Sequence, residues 1–516
     1  MKSFYRSIWT CGRYDADSHS AIMYNLLTGY SYFFEEESAD VIGYVLNTPR
    51  DGNIEQEYII EELMLDAENL FIFLEKLVQI GLLSGHISNV QTIETERKRL
   101  ANIRKEKGER QLLPSDKMNT VDAERDFQNR AKTRIFSVVF ELTYNCSEKC
   151  LHCYNPGASR NDEEKSDRKT QELNLDDYKQ AIDQLYELGL VRVCLSGGDP
   201  FSKPIIWEII EYLYSKEIAF DIYTNGQNLK GYESKLASFF PCTVGVSVYS
   251  AIADIHDSIT RTQGSLHKTL DVIDKLASLS IPLEIKCCIM HQNCKSYRSV
   301  LKIADKYSAA LQLECNIFDS VDGDECVSKY LRLSAEEMRI VLRDRNLLLY
   351  VGPEIINYGA RVLPQNENVC GAGYSGFCIT PDGTVVLCVS FHTAIGNLKK
   401  DSLSTIFSNP KLKWWKNLKI SDYEECGKYD YCDFCPLCPG LNFAKNGTPL
   451  RASDNNCYIA KIRKEVADLL KEGKDPLGGK SIDEALMSLP DIKIDGIKKI
   501  QGISYYKKEL GNNDSH

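Results

Sequence analysis

The segment Cys146-Ser-Glu-Lys-Cys150-Leu-His-Cys153-Tyr154 gathers three thiols into one short loop directly after an apolar, strand-like run. Thiolates are soft ligands that suit iron–sulfur clusters and zinc. A 4Fe–4S cube has four irons, so three cysteines leave one iron open to a substrate or cofactor. The same logic separates open catalytic metal sites from closed structural ones. The competing reading is a zinc knuckle, which asks for a fourth Cys or His nearby. His152 is the local candidate, but it is cramped between two of the ligands, and a position after a strand favours the cluster.

A second array follows: Cys370, Cys378, Cys388, Cys426, Cys432, Cys435, Cys438 and Cys457. Asp382-Gly383-Thr-Val-Val-Leu-Cys388 reads as a hairpin turn leading into a strand that ends on a ligand. Eight thiolates match two four-cysteine clusters as well as they match structural zinc of CxxC type, and the array alone does not choose. Cys194, Cys242, Cys287 and Cys315 lie in strand-like runs and read as small buried hydrophobes.

These residues need a frame. From Ile135 the pattern predicts strands near 135–143, 191–196, 218–224, 242–248, 281–290 and 311–318. Helices are predicted near 174–188, 205–216, 228–240, 266–279, 295–308 and 334–346. Alternation of this kind implies βαβ units and a parallel sheet. Six repeats are fewer than the eight of a closed barrel, so the expected fold class is α/β, a partial (β/α)6 TIM-like barrel with ligands at the C-terminal strand ends. Upstream, Leu27–Glu36 reads as strands or a hairpin, and Asp66 to Gly81 as a helix capped by Asp66 and stopped at Gly81. The expected domains are a winged-helix-like unit over 1–90, a charged linker over 91–134, the barrel over 135–350, a Cys-rich domain over 351–475 and a tail over 476–516.

The 516 residues imply two to four domains, and a net charge of −11 argues against nonspecific nucleic-acid binding. There is no apolar signal region at the N-terminus and no bilayer-length apolar run, so a cytoplasmic location without a membrane partner is expected. Nineteen clustered cysteines in a reducing compartment point to metal before disulfides.

CxxxCxxC with an aromatic-type residue before the last Cys, placed after the first strand of a βα series, resembles the radical S-adenosylmethionine (SAM) superfamily. Ser196-Gly197-Gly198-Asp199-Pro200 resembles the family's glycine-rich motif, with Asp199 where Glu is usual. Thr224-Asn225-Gly226, Ser247 and Arg261 also fit, and Asn293 fits weakly. The resemblance implies that Gly197, Gly198, Asp199, Ser247 and Arg261 contact SAM, and that an electron donor such as flavodoxin or ferredoxin reduces the cluster. With such a core, Cys370 through Gly383 to Cys388 resembles the SPASM domain, although the spacings from Cys426 to Cys438 depart from its pattern. The implied cofactors are SAM and three 4Fe–4S clusters, one SAM-binding and two auxiliary. Cys370, Cys388 and Cys438, with or without Cys378, are assigned to the first auxiliary cluster, and Cys426, Cys432, Cys435 and Cys457 to the second.

Residues 1–90 resemble the leader-recognition element of ribosomal peptide maturases, which adds a peptide strand to a sheet edge. A precursor peptide with a leader is the implied partner, and thioether cross-linking the implied reaction. Carbon–carbon cross-linking and sulfatase-type Cys or Ser oxidation are alternatives within the chemistry. An iron–sulfur sensor that binds DNA is the alternative outside it; the acidic charge and the lack of a basic recognition helix disfavour that reading.

Overall fold

A computed structural model describes residues 2–107, 114–131, 135–155, 172–318, 330–353, 370–374 and 376–490 of the 516. The end of the tail, 491–516, lies outside the described residues. Its strands are β1 (Tyr5–Arg6), β2 (Thr10–Asp15), β3 (Ser20–Asn25), β4 (Tyr30–Glu35), β5 (Leu83–Ser84), β6 (Ser137–Glu141), β7 (Arg192–Ser196), β8 (Ala219–Thr224), β9 (Thr243–Ser247), β10 (Leu283–Cys288), β11 (Ala310–Glu314), β12 (Gly376–Ile379), β13 (Thr384–Cys388) and β14 (Phe391–Asn397).

β6 to β11 lie side by side in sequence order, all parallel, in an open α/β sheet. Helices Leu175–Glu187, Ile206–Ser215, Glu233–Ala237, Ser265–Ser278 and Ser299–Tyr307 fill the crossovers. Apolar, β-branched runs such as Ser-Val-Val-Phe-Glu suit strands covered on both faces. The helices start on sequence signals. Asn174 and Asp177 form a capping box, as do Ser334 and Glu337 ahead of the helix Ala335–Val341. The predicted helix at 228–240 shortens to Glu233–Ala237, because Gly226 and Gly231 hold positive φ values of 83° and 93° that no helix accepts. Helix Ala253–Thr260, in the run read only as motif, was not anticipated.

The sheet does not stop at the expected domain boundary. β12 joins β6 in parallel, then β13 and β14 add antiparallel, giving nine strands in the order β11-β10-β9-β8-β7-β6-β12-β13-β14. The Cys-rich segment is therefore tied to the first barrel strand by a backbone ladder.

The N-terminal unit holds the antiparallel sheet β2-β3-β4 and helices Glu37–Asn47, Gln56–Leu63 and Ala67–Gln79. Asp66 caps the last helix through the Asn69 N–H at 2.9 Å, and Gly81 follows with φ 75°. Every residue of β3 is buried. Ala21 and Met23 face those helices, while Ile22 and Tyr24 face Phe127 of helix Pro114–Ala131 together with Phe136, Val191, Ala219 and Cys242 at the starting ends of the barrel strands. The charged segment after residue 90 is thus helical over Val90–Lys107 and Pro114–Ala131, and the second of these helices contributes Phe127 to the core.

Ion pairs fix this docking. Arg192 donates to Asp221 at 2.7 and 3.0 Å and to Glu124 at 2.6 Å, and Tyr24 donates to the same Glu124 at 2.9 Å. Buried Arg6 reaches Glu217, and the Arg50 guanidinium lies 3.9 Å from the centre of the Tyr214 ring. The unit therefore sits on the N-terminal end of the parallel sheet, opposite the end where such folds build sites. Among the described residues, no helix is long and apolar enough to cross a membrane.

Candidate active site

The loop after β6 carries Cys146, Cys150 and Cys153 and is held from two directions. From β7, Gly198 N–H donates to Thr143 O at 2.6 Å and Asp199 N–H to Asn145 O at 2.9 Å. A Cβ on Gly197 would come within 2.4 Å of Thr143 O, and one on Gly198 within 2.4 Å of Asn145 O, so only glycine permits this approach. From helix Ala253–Thr260, Thr260 O and Ile259 O accept the N–H groups of Lys149 and Leu151 at 3.0 and 2.9 Å. Arg261, at the αL end of that helix, donates to Lys149 O, which places it against the loop.

Asp199 is fully buried and uses both oxygens internally. It caps Phe201 N–H at 3.0 Å and accepts from Thr224 Oγ1 at 2.6 Å and Asn225 N–H at 3.0 Å. It thereby fixes Asn225, whose Nδ2 lies 3.2 Å from the Cys146 sulfur. A second chain starts at Tyr249. Its N–H donates to His256 Nδ1 at 3.2 Å, so the ring proton sits on Nε2, which faces Ser265 Oγ at 3.2 Å. Ser265 donates to Glu148 Oε1, and Glu148 Oε2 lies 3.7 Å from the Cys150 sulfur. Burial holds His256 near 4 and pushes Glu148 up to about 7.

Cys146, Cys150, Cys153, Gly197, Gly198 and Ser247 line one open cavity of about 360 Å³ at the C-terminal strand ends. Asp199 lies beneath it and Arg261 behind the loop. Two buried polar atoms on its wall, His152 Nδ1 and Asn155 Oδ1, have no hydrogen-bond partner among the described residues and are open to a bound group. His152 packs edge-on against Tyr249 at 4.7 Å, and burial holds it near 4, so it is neutral. Burial pushes the Cys146 thiol up to about 12, and a cationic partner would offset that cost.

The cavity also contains residues that the sequence reading missed: Lys286 and Cys288 from β10, Glu314 at the end of β11, and Asn316. The available signal was alternation. Adjacent Cys287 and Cys288 must face opposite sides of a strand, and polar residues at every second position near a strand's C-terminal end point toward a site.

In the Cys-rich segment, Cys370 neighbours the sulfurs of Cys388 and Cys438. Ser390 Oγ lies 3.3 Å from Cys388 Sγ and 3.8 Å from Cys438 Sγ. Cys378 is fully buried in β12, with Glu141, Cys388 and Cys194 as its neighbours. Glu141 accepts from the hydroxyls of Tyr144 and Tyr154 at 3.0 and 3.2 Å, and burial pushes its carboxyl up to about 7. Cys426, Cys432, Cys435 and Cys457 line a separate small cavity of about 10 Å³. Tyr423 stands between the two groups, near Cys370, Cys426 and Cys438, with its buried hydroxyl lacking a partner.

Among the described residues, no three His, Cys, Asp or Glu side chains converge tightly enough to hold a single metal ion. A cube of irons and sulfides is larger and asks for thiolates set further apart. The donor sets are all sulfur, and each of the three groups is accompanied by a donor or an orphaned polar atom facing it, so these residues fit iron–sulfur clusters.

Two families match the chain: the radical SAM superfamily over residues 140–295 and the SPASM iron–sulfur cluster-binding domain over residues 370–439. The antilisterial bacteriocin subtilosin biosynthesis protein AlbA of Bacillus subtilis is 26% identical over 339 residues, covering 62% of this chain and 70% of AlbA. The mycofactocin maturase MftC of Mycobacterium tuberculosis is 24% identical over 340 residues, covering 62% of this chain and 82% of MftC. The structure of Streptococcus suis SuiB bound to precursor peptide SuiA superposes with a TM-score of 0.53 over 88% of this chain and 99% of SuiB, and at 14% identity that likeness speaks to fold alone. The chain thus joins a radical SAM domain to a SPASM domain, and its cofactors are SAM and multiple 4Fe–4S clusters.

Proposed function

We propose that this protein is a maturase that modifies a ribosomally made precursor peptide, joining a Cys sulfur to a carbon as a thioether. The observation that carries the reading is the cavity in which three loop thiols, two orphaned polar atoms and the polar ends of β10 and β11 face one another. The names of AlbA and MftC, and the peptide bound to SuiB, supply the substrate class.

Cys146, Cys150 and Cys153 hold the SAM-binding cluster in this reading. Gly197, Gly198 and Ser247 form the wall along which SAM lies, Asp199 sets the turn beneath it, and Arg261 braces the loop. With SAM bound, a reduced cluster supplies a hydrogen-abstracting 5′-deoxyadenosyl radical. Cys370, Cys388 and Cys438 hold the first auxiliary cluster, and Cys426, Cys432, Cys435 and Cys457 the second. With Cys378 buried in β12 and left out of the ligand set, the first would have three thiolates and an iron open to a substrate sulfur.

Residues 1–90 serve as the leader-recognition domain. A sheet of three strands with three helices supports that role, as does docking that leaves the cavity end of the barrel free. The protein's own residues exclude water, position the peptide and take up its proton. The test is coexpression with short peptides from neighbouring reading frames, followed by mass spectrometry. Each cross-link removes two hydrogens, about 2 Da, and masses left unchanged by an enzyme that cleaves SAM would refute the assignment.

A further inference from the structure

Oxidative bond formation by this route releases a proton, and a residue must take it. Summed over one turnover, R–SH, R′–H and the SAM cation give R–S–R′, 5′-deoxyadenosine, methionine and H⁺. One electron enters from the SAM-binding cluster and one leaves to an auxiliary cluster. A carbon–carbon bond gives the same balance, with the proton coming from the second C–H. The proton therefore comes from the substrate and needs an acceptor in the cavity.

We propose that Glu314 is the base that accepts this proton, a reading that rests on the peptide-maturase function above. Glu314 is the last residue of β11 and lies in register with Cys288 on β10, and both line the cavity. Its Oε1 accepts the N–H groups of Cys315 and Asn316 at 2.9 and 2.8 Å. These two hydrogen bonds hold Oε1 and leave Oε2 as the oxygen available to take a proton in the cavity. Burial raises its affinity for a proton, while the two N–H groups and Arg463 of helix Asp454–Lys471 keep it ionisable, a balance suited to a base.

The other cavity groups suit the role less well: His152, unpartnered at Nδ1, is held near 4 by burial and so binds a proton weakly. Glu148 is bound to Ser265 beside Cys150. Lys286 Nζ stands 3.6 Å from the centre of the Tyr223 ring and 3.6 Å from Glu284, and is held by both. Tyr144, Tyr154 and Tyr249 are driven by burial further from ionisation. In the step, the substrate S–H bond breaks, the proton bonds to Glu314 Oε2, the sulfur pair forms the S–C bond, and the surplus electron passes to an auxiliary cluster.

The experiment compares wild type with Glu314→Gln and Glu314→Asp, using as probe a synthetic peptide encoded by the neighbouring short reading frame. Three quantities are read: 5′-deoxyadenosine formed, cross-linked peptide formed, and peptide affinity of the cluster-free protein by fluorescence anisotropy. Glu314→Gln is expected to keep 5′-deoxyadenosine formation and affinity within about threefold of wild type, while product per 5′-deoxyadenosine falls about a hundredfold. Glu314→Asp is expected to recover part of that ratio. Full coupling in Glu314→Gln would overturn the assignment, as would a loss explained by weakened peptide binding. A wild type that cleaves SAM without changing any peptide would instead refute the maturase reading itself.

Discussion

Asn225 Nδ2 lies 3.2 Å from the sulfur of Cys146, joining the end of β8 to the first cysteine of the cluster loop. A donor aimed at a ligating thiolate withdraws charge from it and raises the cluster's reduction potential. Asn225→Ala should therefore shift the SAM-binding cluster to more negative potential, on the order of tens of millivolts. Its cluster content should stay intact. A redox titration followed by electron paramagnetic resonance reads the shift, and an unchanged potential would remove Asn225 from this role.

Gly198 makes the clearest steric prediction. A methyl group there would meet Asn145 O at 2.4 Å, and that carbonyl is backbone of the cluster loop. Gly198→Ala should cost about 1–3 kcal/mol as the loop is pushed away. Iron bound per chain should fall with it. Thermal unfolding and iron analysis together test this, and a variant with native melting and full iron would contradict it.

Tyr423 offers its buried hydroxyl to no acceptor among the described residues while standing near Cys370, Cys426 and Cys438. With clusters in place, their sulfurs are the acceptors within reach. Tyr423→Phe should lower the potential of one auxiliary cluster and leave the SAM-binding cluster where it is. Potentials unchanged across all clusters would show that the hydroxyl serves none of them.

How much of this was legible beforehand differs by element. All six parallel strands were readable, because β-branched apolar runs alternate with helix-period segments. The cluster loop was readable because three cysteines fell at one strand end. Arg261 was linked to the site by motif alone, and the structure gives its backbone-bracing contact with Lys149. Glu314 and Cys288 were missed because a strand's last residues resemble any edge of an apolar run until the neighbouring strands show which face is enclosed. The pairing of β12 with β6 was equally hidden, since 239 residues separate Ser137 from its partner Gly376 and local patterns carry no such information.

Docking of the N-terminal unit at the starting ends of the strands, away from the cavity, constrains the peptide. A leader held there must travel at least the length of a barrel strand, about 17–20 Å, to reach the site. Precursors need at least about six extended residues between the bound leader segment and the modified residue. Stepwise shortening of that spacer should abolish modification below this length while leader affinity persists. Undiminished modification with no spacer would place the leader elsewhere.

The most direct measurement replaces Cys146, Cys150 and Cys153 together with Ala, reconstitutes the protein anaerobically, and assays reductive cleavage of SAM. No 5′-deoxyadenosine above the protein-free blank should form, while the auxiliary clusters still contribute visible absorption. Cleavage at the wild-type rate would contradict the claim that these three thiols hold the cluster that opens SAM.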